Sequence, residues 1–297
     1  MTPGTEALMD PIEAMLSVVS FVFGASIGSF LNVVIWRVPR GESIVRPPSH
    51  CPVCGSPIRW YQNIPIVSWL ALRGRCANCR APISPRYILV ETLTGVLFLA
   101  AFMRYGNLAP LAWVWIALMI VGSFIDFDLR LLPDFVTVGG MIYGVSVAAV
   151  VRVIAAWFGV DIRLFSAGSA AWPVHSLYPF ALEPLWSIVG LAFGLGLLWL
   201  IRFLGTLAFR REAMGLGDVL LMGGIGAIFG FEAVLVTLVL SAVAGSVVGV
   251  ALILVSKVKL GSFVEIPYGP YICMGCLAWM FWGPELVNWY LNILSPL

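Results

Sequence analysis

Carboxylates inside apolar sequence are the most unusual chemical feature of this chain. Asp126 and Asp128 lie at the end of one apolar segment, Asp134 lies in the turn that follows, and Asp218 opens another segment after Gly-Leu-Gly. A charged carboxylate at mid-bilayer costs at least about 2.5 kcal/mol, so such a residue usually serves a function. Asp134 follows a proline and fits a turn and helix start. Asp128 fits a solvated helix end as well as a functional role, whereas Asp126 is the stronger functional candidate.

Asp126 and Asp218 would form a catalytic pair if their two segments met at one depth. Two close carboxylates cannot both ionise cheaply, so such a pair shares one proton. The ionised member can take a proton from water while the protonated member polarises a carbonyl, which is the chemistry of peptide hydrolysis. We therefore predict that Asp126 and Asp218 are catalytic. Their separate roles are not predicted, because the pair titrates as a unit, and Asp218 taken alone also fits a plain helix cap.

Four cysteines form two C-x-x-C pairs in the polar region after the first apolar segment. Cys51 and Cys54 are followed, after twenty-one residues, by Cys76 and Cys79. This spacing is typical of a zinc ribbon, and four thiolates suit tetrahedral Zn²⁺. A bound metal would also supply folding energy that this polar region cannot gain from apolar burial. Disulfides or free thiols are the alternative, although a cytosolic location disfavours disulfides.

Composition indicates a membrane protein. Of the 297 residues, 61% are hydrophobic and only 11% are charged, whereas a soluble domain carries about 25% charged residues. The net charge of +2 gives no basis for nucleic-acid binding. Segments apolar and long enough for membrane helices span 12–36, 88–104, 109–127, 135–157, 184–204, 218–230, 232–256 and 267–291. We predict an all-α polytopic membrane protein with about eight transmembrane helices, although 218–230 is short and glycine-rich enough to be a re-entrant segment.

Basic residues are concentrated on one side of the predicted membrane. Eight arginines share the 37–87 loop, and alternation places most other Arg and Lys residues on the same side. The opposite side holds only Arg104, Arg152 and Arg163. Because cytoplasmic loops carry the excess of basic residues, the 37–87 loop and the aspartates should face the cytoplasm. The first ten residues lack Lys and Arg, so we expect the first apolar segment to be retained as a helix rather than removed as a signal peptide.

The polar regions suggest a division of the chain. We predict a first transmembrane helix in 1–36, a cytosolic zinc-ribbon-like domain in 37–87 and a transmembrane catalytic domain in 88–297. Glu91 is expected to open the second helix, where a carboxylate favours the helix dipole. The 158–183 loop is assigned no role. Cys273 and Cys276 lie in an apolar segment and fit small packing residues.

Several further segments stand beside the aspartate and cysteine motifs in a fixed order. The whole set is 28–32, the double C-x-x-C loop, 63–65, 68–70, 73–76, 83–87 with Glu91, 125–134, 215–218 and 266–271. Taken together, these segments resemble the type IV prepilin peptidase family over nearly the whole chain. Many members of that family have His at the position of Leu129 and an acidic residue at the position of Gln62.

The resemblance implies a bifunctional enzyme of the bacterial inner membrane. Such enzymes cut the basic leader from prepilins and pseudopilins at the cytoplasmic face, and then N-methylate the new terminal residue with S-adenosylmethionine. The family's catalytic aspartates fall on Asp126 and Asp218, and its zinc ligands fall on the four loop cysteines. The resemblance also associates the cysteine domain with methylation. The sequence has no glycine-rich loop after a strand, so the methyl donor rests on the resemblance alone.

Two other functions fit part of the sequence. A proton-coupled transporter would use Asp126 and Asp218 as a relay, but the outer halves of the predicted helices are almost wholly apolar. A non-catalytic assembly factor organised by a zinc domain would explain the cysteines and leave the two aspartates without a role.

Overall fold

The computed structural model describes residues 11–158, 184–256 and 267–294, and these ranges are predominantly helical. In these ranges eight helices overlap the eight predicted segments, and a further helix of five residues lies in the cysteine loop. Most of the 158–183 loop lies outside the described residues, as do Arg163, Lys257 and Lys259. The helices are α1 (Pro11–Arg37), α2 (Val67–Ala71), α3 (Arg86–Tyr105), α4 (Ala109–Leu129), α5 (Asp134–Phe158), α6 (Pro184–Phe209), α7 (Leu216–Phe229), α8 (Phe231–Ser256) and α9 (Gly269–Leu294).

Five helical spans in the described ranges are long and apolar enough to cross a membrane. They lie in α1, α3, α4, α6 and α8. Asp134–Val150 of α5 and the whole of α7 are shorter apolar helices. The prediction of an all-α polytopic membrane protein is therefore confirmed.

The chain forms two compact units, of which the first ends at Ile120 and the second begins at Val121. In the first unit, α1 packs along α3. A methyl group added to Gly28 would lie 2.8 Å from Cα of Glu91, and one added to Gly24 would meet Phe98 at 2.7 Å. Because these glycines have no side chain, the two helix backbones can approach closely, as small residues commonly allow between membrane helices.

The centre of the second unit is the short helix α7. Eleven of its fourteen residues are buried, and it contacts α5, α6, α8 and α9. Gly190 of α6 and Gly226 of α7 face each other so closely that a methyl group on either would collide with the other's carbonyl oxygen. The glycine content that made this segment ambiguous in the sequence therefore serves helix packing, because it lets α6 approach the backbone of α7.

We expect Gly190→Ala to destabilise the second unit. The added methyl would overlap the backbone of Gly226, and overpacking of this kind costs about 1–3 kcal/mol. Thermal unfolding of the detergent-purified protein should show a lower midpoint. Gly196→Ala is the matched control, since nothing lies within 4 Å of its added methyl. An equal loss of stability in both variants would contradict the packing argument.

Candidate active site and metal centre

The second unit brings Asp126 and Asp218 together. Asp126 lies near the end of α4 and is 6% exposed, while Asp218 lies in the first turn of α7 and is 8% exposed. The charge of Asp126 acts directly on Asp218. Asp128 and Asp134 are both exposed, and Asp134 begins α5 as the sequence predicts. Two of the four candidate aspartates therefore form a buried pair, and the other two do not share their environment.

The start of α9 supplies a hydrogen-bond donor to this pair. The backbone N–H of Gly269 donates to Oδ2 of Asp126 at 3.0 Å. The first N–H groups of a helix have no partner within the helix, so they are available to an acceptor of this kind. A methyl group at residue 269 would lie 2.7 Å from the same Oδ2 atom. The sequence analysis gives this glycine no role; its signal is a Pro-Tyr-Gly-Pro sequence at the start of the predicted 267–291 segment.

Tyr268 adds a second polar group near the pair. Its hydroxyl forms a 2.7 Å hydrogen bond with the hydroxyl of Ser241 on α8, and the charge of Asp218 reaches it. From Ser241, α8 continues for fifteen residues to Ser256, which is about 22 Å of helix. The first turn of α9 thus stands against the middle of α8 rather than against its end.

Helix α6 also extends past the level of the carboxylates. Gly190 lies against Gly226 and Gly194 lies against Met222, so α6 and α7 are antiparallel. Continuing this register places Leu198 at the level of Asp218. The helix then continues for eleven residues to Phe209, about 16 Å farther. The sequence predicts carboxylates at the membrane boundary, and in the second unit α6 and α8 project beyond the level at which the pair lies.

The four loop cysteines form one cluster in the first unit. Their sulfur atoms all lie within 4.8 Å of one another, and Sγ of Cys51 is 3.8 Å from Sγ of Cys79. Four sulfurs at about 2.3 Å from a tetrahedral zinc ion would be about 3.8 Å apart. None of the six cysteines, all of which lie in the described ranges, forms a disulfide. The donor set and its spacing therefore fit a metal ion, as the C-x-x-C spacing predicts.

Each C-x-x-C pair is held by the same local turn. The N–H of Gly55 donates to the carbonyl of Cys51, and the N–H of Arg80 donates to the carbonyl of Cys76. Gly55 and Arg80 both have positive φ, at 70° and 60°. This conformation suits glycine but is uncommon for arginine. The two turns therefore have the same backbone geometry, although only the first has glycine at the position with positive φ.

The cysteine cluster has the chemistry to bind a divalent cation. Hydrogen bonds from Ser56 lower the pKa of Cys54 to about 6. The backbone of Ala81 favours the thiolate of Cys79, but desolvation and the neighbouring cysteines outweigh it and raise the pKa to about 11. Four thiolates this close repel one another, and a divalent cation would remove the repulsion.

The fold and the two sites define the class of this protein. It is a polytopic helical membrane protein with a buried aspartate pair and a cluster of four cysteines. Residues 22–105 match the model of the bacterial peptidase A24 N-terminal domain, and residues 113–250 match the model of the type IV leader peptidase family. The chain belongs to the type IV leader peptidase family. This confirms the resemblance identified in the sequence.

The matches to curated relatives span most of this chain and most of each relative. A prepilin leader peptidase/N-methyltransferase of Myxococcus xanthus strain DK1622 is 38% identical, over 95% of this chain and 77% of that protein. A protein of the same name from Aeromonas hydrophila is 33% identical over 92% of both chains. A type 4 prepilin-like proteins leader peptide-processing enzyme of Escherichia coli O78:H11 is 33% identical, over 90% of this chain and 94% of that protein. No solved structure matches the chain.

We expect Cys79→Ser to remove the metal from the cysteine cluster. The variant loses one of four thiolates, and even the outer partners of metal ligands are worth about 10- to 100-fold in affinity. Elemental analysis of the purified protein should show a lower metal-to-protein ratio for the variant than for the parent chain. Cys276→Ser, in the buried part of α9, is the matched control and should keep the metal. Equal metal content in both variants would exclude the cluster as the binding site.

Proposed function

We propose that this protein cleaves the leader peptide of type IV prepilins and pseudopilins with Asp126 and Asp218, and then N-methylates the new N-terminus. The observation that carries the proposal is the burial of these two carboxylates, from separate helices, close enough for the charge of Asp126 to act on Asp218. A buried pair of this kind shares a proton and can act as base and acid in one reaction. The names of the relatives supply both the substrate class and the second activity.

Cleavage follows from one proton held between the two carboxylates. The ionised carboxylate takes a proton from water, and the resulting hydroxide attacks the scissile carbonyl carbon. The protonated carboxylate donates its proton to the carbonyl oxygen, which gives a tetrahedral diol. The first carboxylate then gives its proton to the leaving amine as the C–N bond breaks, and the second carboxylate takes a proton from one hydroxyl of the diol. This leaves a carboxylic acid and restores the single proton shared by the pair. The N–H of Gly269 fixes one oxygen of Asp126 throughout, which keeps that carboxylate oriented for proton transfer.

The proposed location is the bacterial inner membrane, with the aspartates open to the cytoplasm. The concentration of arginines in the 37–87 loop supports this orientation. A prepilin with a basic leader outside the bilayer and an apolar helix inside it would present its scissile bond between the two. The projecting ends of α6 and α8 would flank that bond, since they extend beyond the level of the carboxylates.

We further propose that the metal in the cysteine cluster is structural zinc, held by the four cysteines of the 37–87 domain. Zinc would neutralise the crowded thiolates and stabilise a loop with little apolar burial. The methyl donor proposed for the second activity is S-adenosylmethionine. No group of described residues forms the strand, glycine loop and helix that bind dinucleotides in other folds, so its site is not assigned. The division at residues 36 and 87 is part of this proposal.

We expect Asp126→Asn and Asp218→Asn each to abolish leader cleavage. Either change removes a proton-transfer group, and such groups contribute about 10²–10⁴-fold to rate. The measurement is cleavage of a purified prepilin by the detergent-solubilised protein, followed by gel shift. Asp134→Asn, at an exposed helix start, is the control and should retain activity. Normal cleavage by Asp126→Asn or Asp218→Asn would exclude the proposed mechanism.

Gly269→Ala should slow cleavage without removing either carboxylate. The added methyl would lie 2.7 Å from Oδ2 of Asp126, so the carboxylate must shift, and small misplacement of a reacting group costs up to about 100-fold. Gly245→Ala is the comparison, because its added methyl meets only ordinary contacts with Tyr268 and Tyr271. The rate constant for cleavage should fall in Gly269→Ala alone. Similar rates in the two variants would show that the Gly269 contact does not orient Asp126.

A further inference from the structure

The first unit contains a buried carboxylate that cleavage does not use. Glu91 is 7% exposed. The sequence predicts it at the start of the second helix, but α3 begins at Arg86, so Glu91 lies in the second turn. Its side chain therefore does not stabilise unpaired N–H groups at the helix start. A carboxylate buried beside apolar helices needs other partners.

The side chain of Glu91 accepts hydrogen bonds from two other segments of the chain. Its Oε2 accepts a 2.7 Å hydrogen bond from the backbone N–H of Ile66, in the cysteine loop. The hydroxyl of Ser29, on α1, bonds to the same carboxylate. Next to it, Gly28 allows α1 to approach Cα of Glu91. The carboxylate thus joins α1, α3 and the cysteine loop at one buried point.

Ile66 has a backbone conformation that β-branched residues rarely adopt. Its φ is 64° and its ψ is −53°, and the N–H of Val67 donates to the carbonyl of Pro65 at 2.6 Å. Together these define a γ-turn of the rare, strained form. Strained residues persist only where the surrounding structure holds them, and they are concentrated at functional sites. Glu91 stabilises the strained conformation, because its carboxylate accepts a hydrogen bond from the N–H of Ile66.

The turn at Ile66 connects Glu91 to the second cysteine pair through packing contacts and hydrogen bonds. It leads directly into α2, where the indole N–H of Trp69 donates to the carbonyl of Ile83 at 3.3 Å. The ring of Trp69 lies against Gly74, and the N–H of Ile83 donates to the carbonyl of Gly74. Gly74 and Ile83 flank the segment that contains Cys76 and Cys79. A continuous set of contacts therefore connects Glu91 with one half of the metal centre.

We propose that Glu91 is a positioning residue for methyl transfer, and that it acts by fixing the cysteine loop on α1 and α3 through the strained turn at Ile66. The inference rests on the proposed function, in which one chain carries two activities. The aspartate pair lies within the second unit and within the family match at 113–250. Glu91 and the cysteines lie within the first unit and the match at 22–105. The proposal assigns cleavage to the second unit and methylation to the first, so loss of the Glu91 contact should impair methylation and spare cleavage.

Two neutral substitutions of Glu91 separate its hydrogen bond from its charge. Glu91→Gln retains an oxygen that can accept the N–H of Ile66, whereas Glu91→Met has similar length and no such acceptor. Each variant of the full chain is incubated in phospholipid nanodiscs with a prepilin and S-adenosylmethionine. Mass spectrometry then measures cleaved and methylated product separately. We expect about tenfold slower methylation for Glu91→Met than for Glu91→Gln, as loss of one buried hydrogen bond predicts, with equal cleavage by both.

A second substitution tests whether the strained turn is the target. Glycine adopts positive φ without steric cost, so Ile66→Gly should restore methylation to the Glu91→Met variant. A merely structural defect in α3 would not respond to a change in the loop. Glu42→Gln, an exposed carboxylate of the same loop, is the control and should leave both activities unchanged.

The outcomes distinguish this inference from the proposed function. Equal methylation by Glu91→Met and Glu91→Gln, or no restoration by Ile66→Gly, would overturn the role of Glu91 while leaving cleavage by the aspartates in place. A parent chain that cleaves but never methylates would also overturn it. A parent chain that does neither would overturn the proposed function, and the inference with it.

Discussion

A carboxylate buried among apolar helices must find a donor or share a proton, and this constraint organises both units of the protein. Leaving such a group charged and unpartnered would cost several kcal/mol or more. Asp126 and Asp218 lie within range of each other, and Asp126 also accepts the N–H of Gly269. Glu91 is satisfied by Ile66 and by a serine of α1. Each buried acid therefore ties together segments that are distant along the chain.

Glycine makes these contacts possible because it lets helix backbones come close enough for side chains of different helices to converge. Gly190 and Gly226 bring α6 against α7, and Gly28 brings α1 against α3. In a membrane, close packing replaces the hydrophobic driving force that brings helices together in water. The same contacts that stabilise the bundle thus determine where its acids lie. A substitution that alters these glycine contacts is therefore expected to move the buried acids as well.

Much of the protein was predictable from local sequence. Apolar length indicated the long helices, and the C-x-x-C spacing indicated one cysteine cluster, because both depend on residues that are near neighbours in the chain. Gln62, which departs from the family pattern, forms a local contact as well: its side-chain oxygen accepts the N–H of Arg59 at a short helical turn. Glu91 was assigned to a helix start because the sequence alone does not show where α3 begins.

The sequence by itself determined the helices, the metal-binding residue types and the identity of the two candidate catalytic acids. Only the tertiary structure decided which groups meet. The N–H of Gly269 and Asp126 are 143 residues apart in sequence, and no periodicity or spacing links them. The strained turn at Ile66 was equally hidden, since its hydrogen-bond acceptor lies on another helix. Local patterns report the conformation of neighbouring residues, whereas contacts between distant segments depend on how all the helices pack at once.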